Sequence, residues 1–475
     1  MNAKFTYPRL QILVAIGVLL LLAACAQTAA PAATQPTIAP AATVAQPTSA
    51  PQATSATVKA TKEAAAGSSA TVGTCNIDPP TSPTTINMLG WPFSIMNFYA
   101  DTMKECGQVK NLTVNVQMLD FTAVDDSVRL ALSGGGASPY DIVHGSNPEM
   151  IEFGSQGWLL PLNDLIEKYK TQYQLDDIMP EAWAGATIDG KIYGIPVDLN
   201  TLHLFYREDL FSKYNLKVPT TYDEVIANCK ALKADPDLDI PFAMDVSAGW
   251  AWEIEFFSFI RSFGGDYLNP DNTPAFNSPA GVAAATKMKE VVDACMGGKA
   301  GNYGYEAYEA AMGNGSIAFT QDWANAGSLA IDPKKWATAG SIKFAPGAAP
   351  NPGGKLDGSS WFDYYYIPKN TKVDPDLIFR VIMEAAKAEN MQQAAKLGFI
   401  TRKSIPQQMP NSKEALETIQ RGSGAYPTNR AITLAQAALG NWLPFVGDGS
   451  KTPKEALDGA AEEYIQEAKK QGFIK

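Results

Sequence analysis

From Thr85 onward the chain alternates short β-branched runs with helix-length amphipathic stretches, and this alternation narrows the fold more than any other feature. "TINMLGW" (Thr85–Trp91), "LTVNVQML" (Leu112–Leu119) and "YDIVHGS" (Tyr140–Ser146) read as strands. Residues around Asn97 to Cys106 read as a helix ending near Gly107, and "PLNDLIEKY" as one entered through Asn163 or nearby. Strand, helix and strand in succession, with buried apolar runs, is the α/β pattern of a mostly parallel sheet. Ligands in such sheets sit beyond the carboxyl ends of strands, so the loops following Leu89, Val143 and Pro196 are the first places to look.

A second block runs from "LFYREDLFSKYNL" through a helix near Tyr222–Lys233 to "FSFIRSFGGDYL". The turn-rich "NPDNTPAFNSP" precedes a helical "AGVAAATKMKEVVDAC"; "GSIAFTQDW" is a strand whose end reaches Trp323, and "SSWFDYYYIPKNT" is a strand ending in a turn. Ala-rich amphipathic helices, "TPKEALDGAAEEYIQEA" among them, complete the chain without an internal repeat. About 400 residues lie in this body, enough for a large core and two lobes, and 10% of the chain is aromatic. A net charge of −11 argues against nucleic acid, whose phosphates call for basic surface.

The first residues differ in kind. Lys4 and Arg9 precede an apolar run from Leu10 to Ala24, broken by Gln11 and Gly17. A basic region, a short apolar region and small residues before a cut describe a signal peptide, and the run is too short for a membrane span. "LAAC" (Leu22–Cys25) resembles the bacterial lipobox, which makes Cys25 a lipidated new N-terminus; cleavage after an A-x-A-like site is the alternative. Ala26 to Gly73 holds no Phe, Trp or Tyr and is dominated by Ala, Thr, Pro, Gln and Ser, a composition that cannot offset ordering entropy and reads as a leash. About 50 such residues reach about 40 Å on average. Four further cysteines, Cys75, Cys106, Cys229 and Cys295, permit two disulfides in an exported chain. Of the three connectivities, proximity in sequence favours Cys75–Cys106 and Cys229–Cys295; four buried thiols are the other reading.

Catalytic and cofactor signatures are missing. His144 and His203 are the two histidines, and neither belongs to an H-E-x-x-H pair or a zinc set. There is no G-x-S-x-G elbow and no phosphate-binding G-x-x-x-x-G-K-[ST]. "SGGGASP" (Ser133–Pro139) reads as a helix-ending loop, and "DPDLD" (Asp235–Asp239) lacks the glycine and terminal glutamate of a calcium loop. No metal and no cofactor are expected.

Five blocks in order carry a resemblance. "YDIVHGSNPEMIEFGSQGWLLPLNDLI" is similar to a block ending in G-W-L-x-P-L. "IDGKIYGIPVDLNTLHLFYREDLFSKYNLKVPTTYDEV" matches G-K-x-Y-G-I-P, Y-R-x-D-L-F and P-x-T-x-x-E. "YEAYEAAMGNGSIAFTQDW" resembles F-x-x-G-x-A-A-M-x-x-x-G-x-W, and "YYYIPKNTK" and "TPKEALDGA" resemble late I-x-K-x-S-K and T-P-E-E-A-L segments. Together they resemble bacterial extracellular solute-binding protein family 1, the substrate-binding lipoproteins of sugar ABC transporters, which includes maltose-binding protein. The resemblance covers most of Thr85 to Lys475. It implies a two-lobed α/β periplasmic-binding-protein type II fold with an interlobe cleft and crossing hinge strands near Pro196–Asn200 and Trp361–Tyr365. The implied partition is a lipoprotein signal peptide at 1–24, lipidated cysteine and linker at 25–80, first lobe at 81–197 and 363–425, second lobe at 198–362, and C-terminal helices at 426–475 mainly on the second lobe.

Sugar recognition needs flat aromatic faces for C–H surfaces and a few placed polar groups for hydroxyls. Trp323 falls where the family often supplies a stacking tryptophan, and Trp91 follows the first strand. Asp198 and Asn200 lie on the first crossing, and Trp361 and Asp363 near the second. Asn147 follows the "YDIV" strand, Asp322 precedes Trp323, and "DVSAGWAWEIEFF" offers Asp245, Trp250, Trp252 and Glu253. For each the bland reading is a core tryptophan or a capping or turn-making Asp or Asn. "QDW" departs from the family's G-P-W or G-x-W, so Gln321 and Asp322 leave the sugar's identity open. The implied function is capture of a neutral carbohydrate or polyol by a monomeric, lipid-anchored, extracytoplasmic binding protein and delivery to an ABC permease. A cell-surface glycoside hydrolase, needing two carboxylates about 5–9.5 Å apart, and a sensory or adhesive protein on the same fold are the alternatives.

Overall fold

The computed structural model describes residues 70–422 and 424–475. The signal peptide, Cys25 and the linker up to residue 69 lie outside the described residues. Among the described residues eleven strands form in chain order: β1 (Thr84–Gly90), β2 (Leu112–Met118), β3 (Ile142–Ser146), β4 (Thr187–Ile188), β5 (Lys191–Ile192), β6 (Gly194–Asn200), β7 (Leu202–Arg207), β8 (Phe242–Ala243), β9 (Phe319–Trp323), β10 (Ile342–Ala345) and β11 (Trp361–Tyr366). They make a five-stranded sheet of order β2-β1-β3-β11-β6, a four-stranded sheet of order β10-β7-β9-β8, and the β4-β5 ribbon.

In the first sheet β1 runs parallel to β2 and β3, and β11 runs antiparallel to β3 and β6. β3, β6 and β11 are buried almost throughout, which is why "IVHGS", "GIPVDLN" and "WFDYYY" lack a clean polar alternation. The helix Ser94–Glu105 turns Ile95, Met96, Phe98, Tyr99 and Met103 into this core, and Pro375–Ala385 packs against it. Gly145 of β3 lies where an added Cβ would overlap the ring of Tyr366, so the close strand approach needs a glycine there. Asn163 does not cap its helix. Its amide accepts from Ile192 N at 3.0 Å and donates to Gly190 O at 3.1 Å, holding the β4-β5 ribbon.

The chain passes between sheets directly from β6 to β7 at Thr201, and returns from β10 to β11 just before Trp361. The crossings adjoin the strands expected to carry them, but the sequence-based lobe boundaries after residues 197 and 362 fall inside β6 and β11. Asp198–Asn200 and Trp361–Phe362 pair with each other inside the first sheet, because the β6-β11 ladder continues to its last register instead of ending at residue 197. Residues 412–421 also depart from the expected first-lobe return: the helix Ser412–Arg421 lies against β7 and β10. The helices Ile432–Trp442 and Pro453–Lys470 pack on each other and on Gly249–Ser262 and Pro279–Cys295 respectively.

Two disulfides brace the body. Cys75–Cys106 ties the entering segment to the end of the first helix, and Cys229–Cys295 staples Tyr222–Leu232 to Pro279–Cys295. The "DPDLD" segment is a turn held by Lys213 Nζ and Tyr214 OH on Asp235 Oδ2, at 2.8 and 3.0 Å. Among the described residues no helix is long and apolar enough to cross a membrane.

Candidate functional site at the seam between the sheets

The carboxyl ends of β1, β3, β6 and β9 and the start of β11 meet where the two sheets join, and most candidate side chains converge there. Trp91, one residue past β1, stacks on His144 of β3 with ring centroids 3.6 Å apart and planes 29° off parallel. His144 Nε2 donates to Asp363 Oδ1 across 2.8 Å. Asp363 faces Asp198 across the β6-β11 ladder. Complete burial, with the charge of Asp363 beside it, holds the Asp198 carboxyl well above the usual range.

A hinge amide knits these strands to the second sheet. Asn325, just after β9, donates from Nδ2 to Asp198 Oδ2 at 2.6 Å, gives its backbone N–H to Asn200 Oδ1 at 3.4 Å, and accepts from Phe399 N at 3.1 Å. Asn200 Oδ1 also takes the N–H of Thr201 at 3.1 Å. Asn325 carries no motif around it, so sequence alone did not single it out.

Trp323 and Trp361 form the aromatic part of the seam, edge to face at 5.7 Å and 89°. Trp361 also lies 4.7 Å from Tyr426, and Tyr426 an equal 4.7 Å from Phe257. Asp322 accepts from Trp323 N at 2.7 Å and Tyr308 OH at 3.2 Å; burial, then the charge of Glu309, pushes its carboxyl well up. Gln321 points elsewhere, donating to Glu255 Oε2 at 2.7 Å. Trp250, 39% exposed, stands at the start of Gly249–Ser262 and meets Phe121 of the first lobe at 5.1 Å, while Phe121 meets Trp91 at an equal 5.1 Å.

Asn147 is used differently from the expectation. It is fully buried, accepts from Phe362 N at 2.6 Å and donates to Tyr364 OH at 3.1 Å. Its amide braces β11, and we set it aside as a ligand contact. His203 is also structural. Its Nδ1–H donates to Ala345 O at 3.1 Å and its Nε2 accepts from Asn411 at 2.8 Å; burial lowers its pKa to about 4, so it stays neutral.

Some of the buried polar atoms without a hydrogen-bond partner among the described residues lie at this seam: Asp198 Oδ1, Asp322 Oδ2, Trp361 Nε1, Tyr426 OH and Glu253 Oε1. Such atoms are uncommon in a folded chain. Among the described residues no Lys or Arg forms an ion pair with Asp198, Asp322, Asp363, Glu149 or Glu253. The arrangement thus offers aromatic edges and faces, several acceptors and few donors, without a fixed cation.

Two sheets joined by direct strand crossings, with a polar and aromatic seam between them, define a two-lobed binding protein. Residues 101–388 match the family model for bacterial extracellular solute-binding proteins, and the chain belongs to that family. A ribitol complex of an ABC transporter solute-binding protein from Agrobacterium radiobacter superposes with a TM-score of 0.72 at 21% identity, over 82% of this chain and 99% of the other. The maltose-bound MalE3 of T. maritima gives 0.69 at 20% identity, over 80% and 99%. In sequence, the chain is 24% identical over 222 residues to the mannitol-binding protein of Pseudomonas aeruginosa, 46% of this chain and 49% of that one. It is 27% identical over 187 residues to an uncharacterized ABC transporter extracellular-binding protein of Pyrococcus horikoshii, 39% and 43%. These alignments span less than half the length of the curated relatives.

Proposed function

We propose that this protein captures a neutral carbohydrate or polyol between its lobes and hands it to the permease of an ABC importer, while a lipidated Cys25 holds it as a monomer outside the cell membrane. The observation that carries the reading is the seam itself. Trp91, Trp323 and Trp361 provide apolar surface, Asp198, Asp322 and Asp363 provide acceptors, and both lobes contribute, so a ligand there is gripped from two sides, while Asn200, its Oδ1 already taken by two backbone N–H groups, holds the hinge. Closure can then be favoured by contacts made with both lobes at once. The lack of a paired cation disfavours anionic ligands, whose charge would face buried carboxylates. Relatives solved or named with ribitol, mannitol and maltose support the substrate class.

The test is thermal unfolding of the purified protein against mono- and disaccharides, polyols and glycerol phosphate. A ligand at a thousand times its Kd adds about 4 kcal/mol of stability. A clear shift with a neutral ligand recovered intact supports the reading; a shift with glycerol phosphate alone refutes neutrality. Consumption of the ligand would make the protein a glycoside hydrolase.

A further inference from the structure

We propose that Glu253, Tyr426 and Trp361 form a hydroxyl-reading subsite at the seam between the lobes, selective for an unsubstituted vicinal diol of a neutral polyol or sugar. The inference rests on the reading of the seam as a carbohydrate site and names the side chains that would set its selectivity.

The geometry comes from three separate parts of the chain. Glu253 and Phe257 lie one turn apart on Gly249–Ser262 and share a face. Phe257 packs on Tyr426 at 4.7 Å and reaches Trp361 at 6.1 Å. Tyr426 and Trp361 are in ring contact at 4.7 Å, tilted by 36°. All three are nearly buried, at 3%, 2% and 4% exposure, yet Glu253 Oε1, Tyr426 OH and Trp361 Nε1 have no hydrogen-bond partner among the described residues. Three such atoms on neighbouring side chains would be a costly arrangement if their only purpose were packing.

Their chemistry is complementary to a diol. A carboxylate oxygen accepts, an indole N–H only donates, and a phenol does both. One hydroxyl can donate to Glu253 while its neighbour accepts from Trp361, with Tyr426 serving either. The other groups facing Glu253 do not substitute for a ligand. Gln436 Nε2 is 3.4 Å from the other oxygen, Oε2, and Tyr267 OH donates at 2.8 Å to the backbone carbonyl. Glu149 of the first lobe acts on Glu253 as a like charge, and it is itself held by Ser146. Arg261, over the Phe257 ring at 5.3 Å, is salt-bridged to Asp266. Burial raises the Glu253 carboxyl to about 7, so near neutrality it can accept, or donate, within one bound complex. An anionic substituent at this spot would meet two glutamates from opposite lobes.

The experiment is calorimetric titration of the full protein with D-mannitol, ribitol and maltose, using wild type, Glu253→Met, Glu253→Gln and Tyr426→Phe, with the ligand-free Tm of each. At least one probe is expected to bind wild type, with Glu253→Met and Tyr426→Phe weakening it roughly tenfold to a hundredfold. Glu253→Gln, which keeps a carbonyl acceptor, should recover part of the loss. The ligand-free Tm should hold or rise, since an unpaired buried polar group has been removed. Variants that bind like wild type would overturn the subsite and leave the carbohydrate reading intact. Affinity falling only in step with ligand-free Tm would likewise overturn it in favour of packing. Wild type binding none of the probes would overturn the carbohydrate reading and the subsite together.

Discussion

Stability should fall as pH rises from about 5 to about 7, opposite to the usual behaviour of an acidic protein. Glu149 and Glu253 are both raised from 4.5 to about 7, by burial first and then by the like charges of Asp125 and Glu149 respectively. Asp357 is raised to about 7 by burial. Over this window the unfolded chain has released these protons and the folded chain still holds them. Each group therefore contributes stability below its unfolded pKa that disappears as pH climbs through its folded one. The loss is about 1.4 kcal/mol per pH unit per carboxyl, on the order of 3 kcal/mol for each glutamate across the window. His203, lowered to about 4, has the opposite sign between pH 4 and 6.5 and cancels one carboxyl's worth there. The net slope stays negative and steepens above pH 6.5. Urea unfolding at half-unit steps from pH 5 to 8 measures it. Glu149→Gln should flatten the curve by more than one carboxyl, because it also relieves Glu253. A stability that rises between pH 5 and 7, or a slope unchanged in Glu149→Gln and Glu253→Gln, would refute the reasoning.

Trp323→Ala should weaken binding of whichever neutral ligand shifts the wild-type Tm by at least about tenfold, the usual cost of removing a central aromatic contact, with the far-ultraviolet circular dichroism unchanged; equal affinity in titration would remove Trp323 from the site. Replacing Cys229 and Cys295 together by Ala opens a loop of 66 residues and should cost about 4 kcal/mol in urea unfolding, with the unfolded chain gaining most of the freedom.

The strands were legible because their pattern is local. "TINMLG" and "IVHGS" combine β-branched residues with mostly buried positions, "LTVNVQM" alternates buried with exposed ones as an edge strand does, and all three lie where the sequence places them. The crossings were less legible. Whether Asp198–Asn200 ends one lobe or begins the next depends on how far the β6-β11 ladder continues, and that is decided by residues more than 160 positions away. The return of residues 412–421 to the second lobe has the same character. An amphipathic helix announces a buried face, but not which sheet it will cover.

The seam shows the same limit more sharply. Trp91, Trp323 and Trp361 could be named because tryptophan at a strand end is conspicuous, whereas Tyr426 sits in "GAYPTNR" and Asn325 in "WANAG" with nothing nearby to mark them. What makes them matter is a deficit visible only in three dimensions. Asn325 has its side-chain amide satisfied by Asp198 and Phe399 and therefore acts as structure, while Tyr426, equally buried, keeps an unpartnered hydroxyl. Two polar residues of similar burial part company on hydrogen-bond accounting alone. A buried group whose partners are all supplied by the fold contributes rigidity, and one left short contributes affinity once a ligand supplies the missing partner. On that criterion Asn325 holds the hinge in register, while Trp361, Tyr426 and Glu253 are the groups we propose a ligand completes.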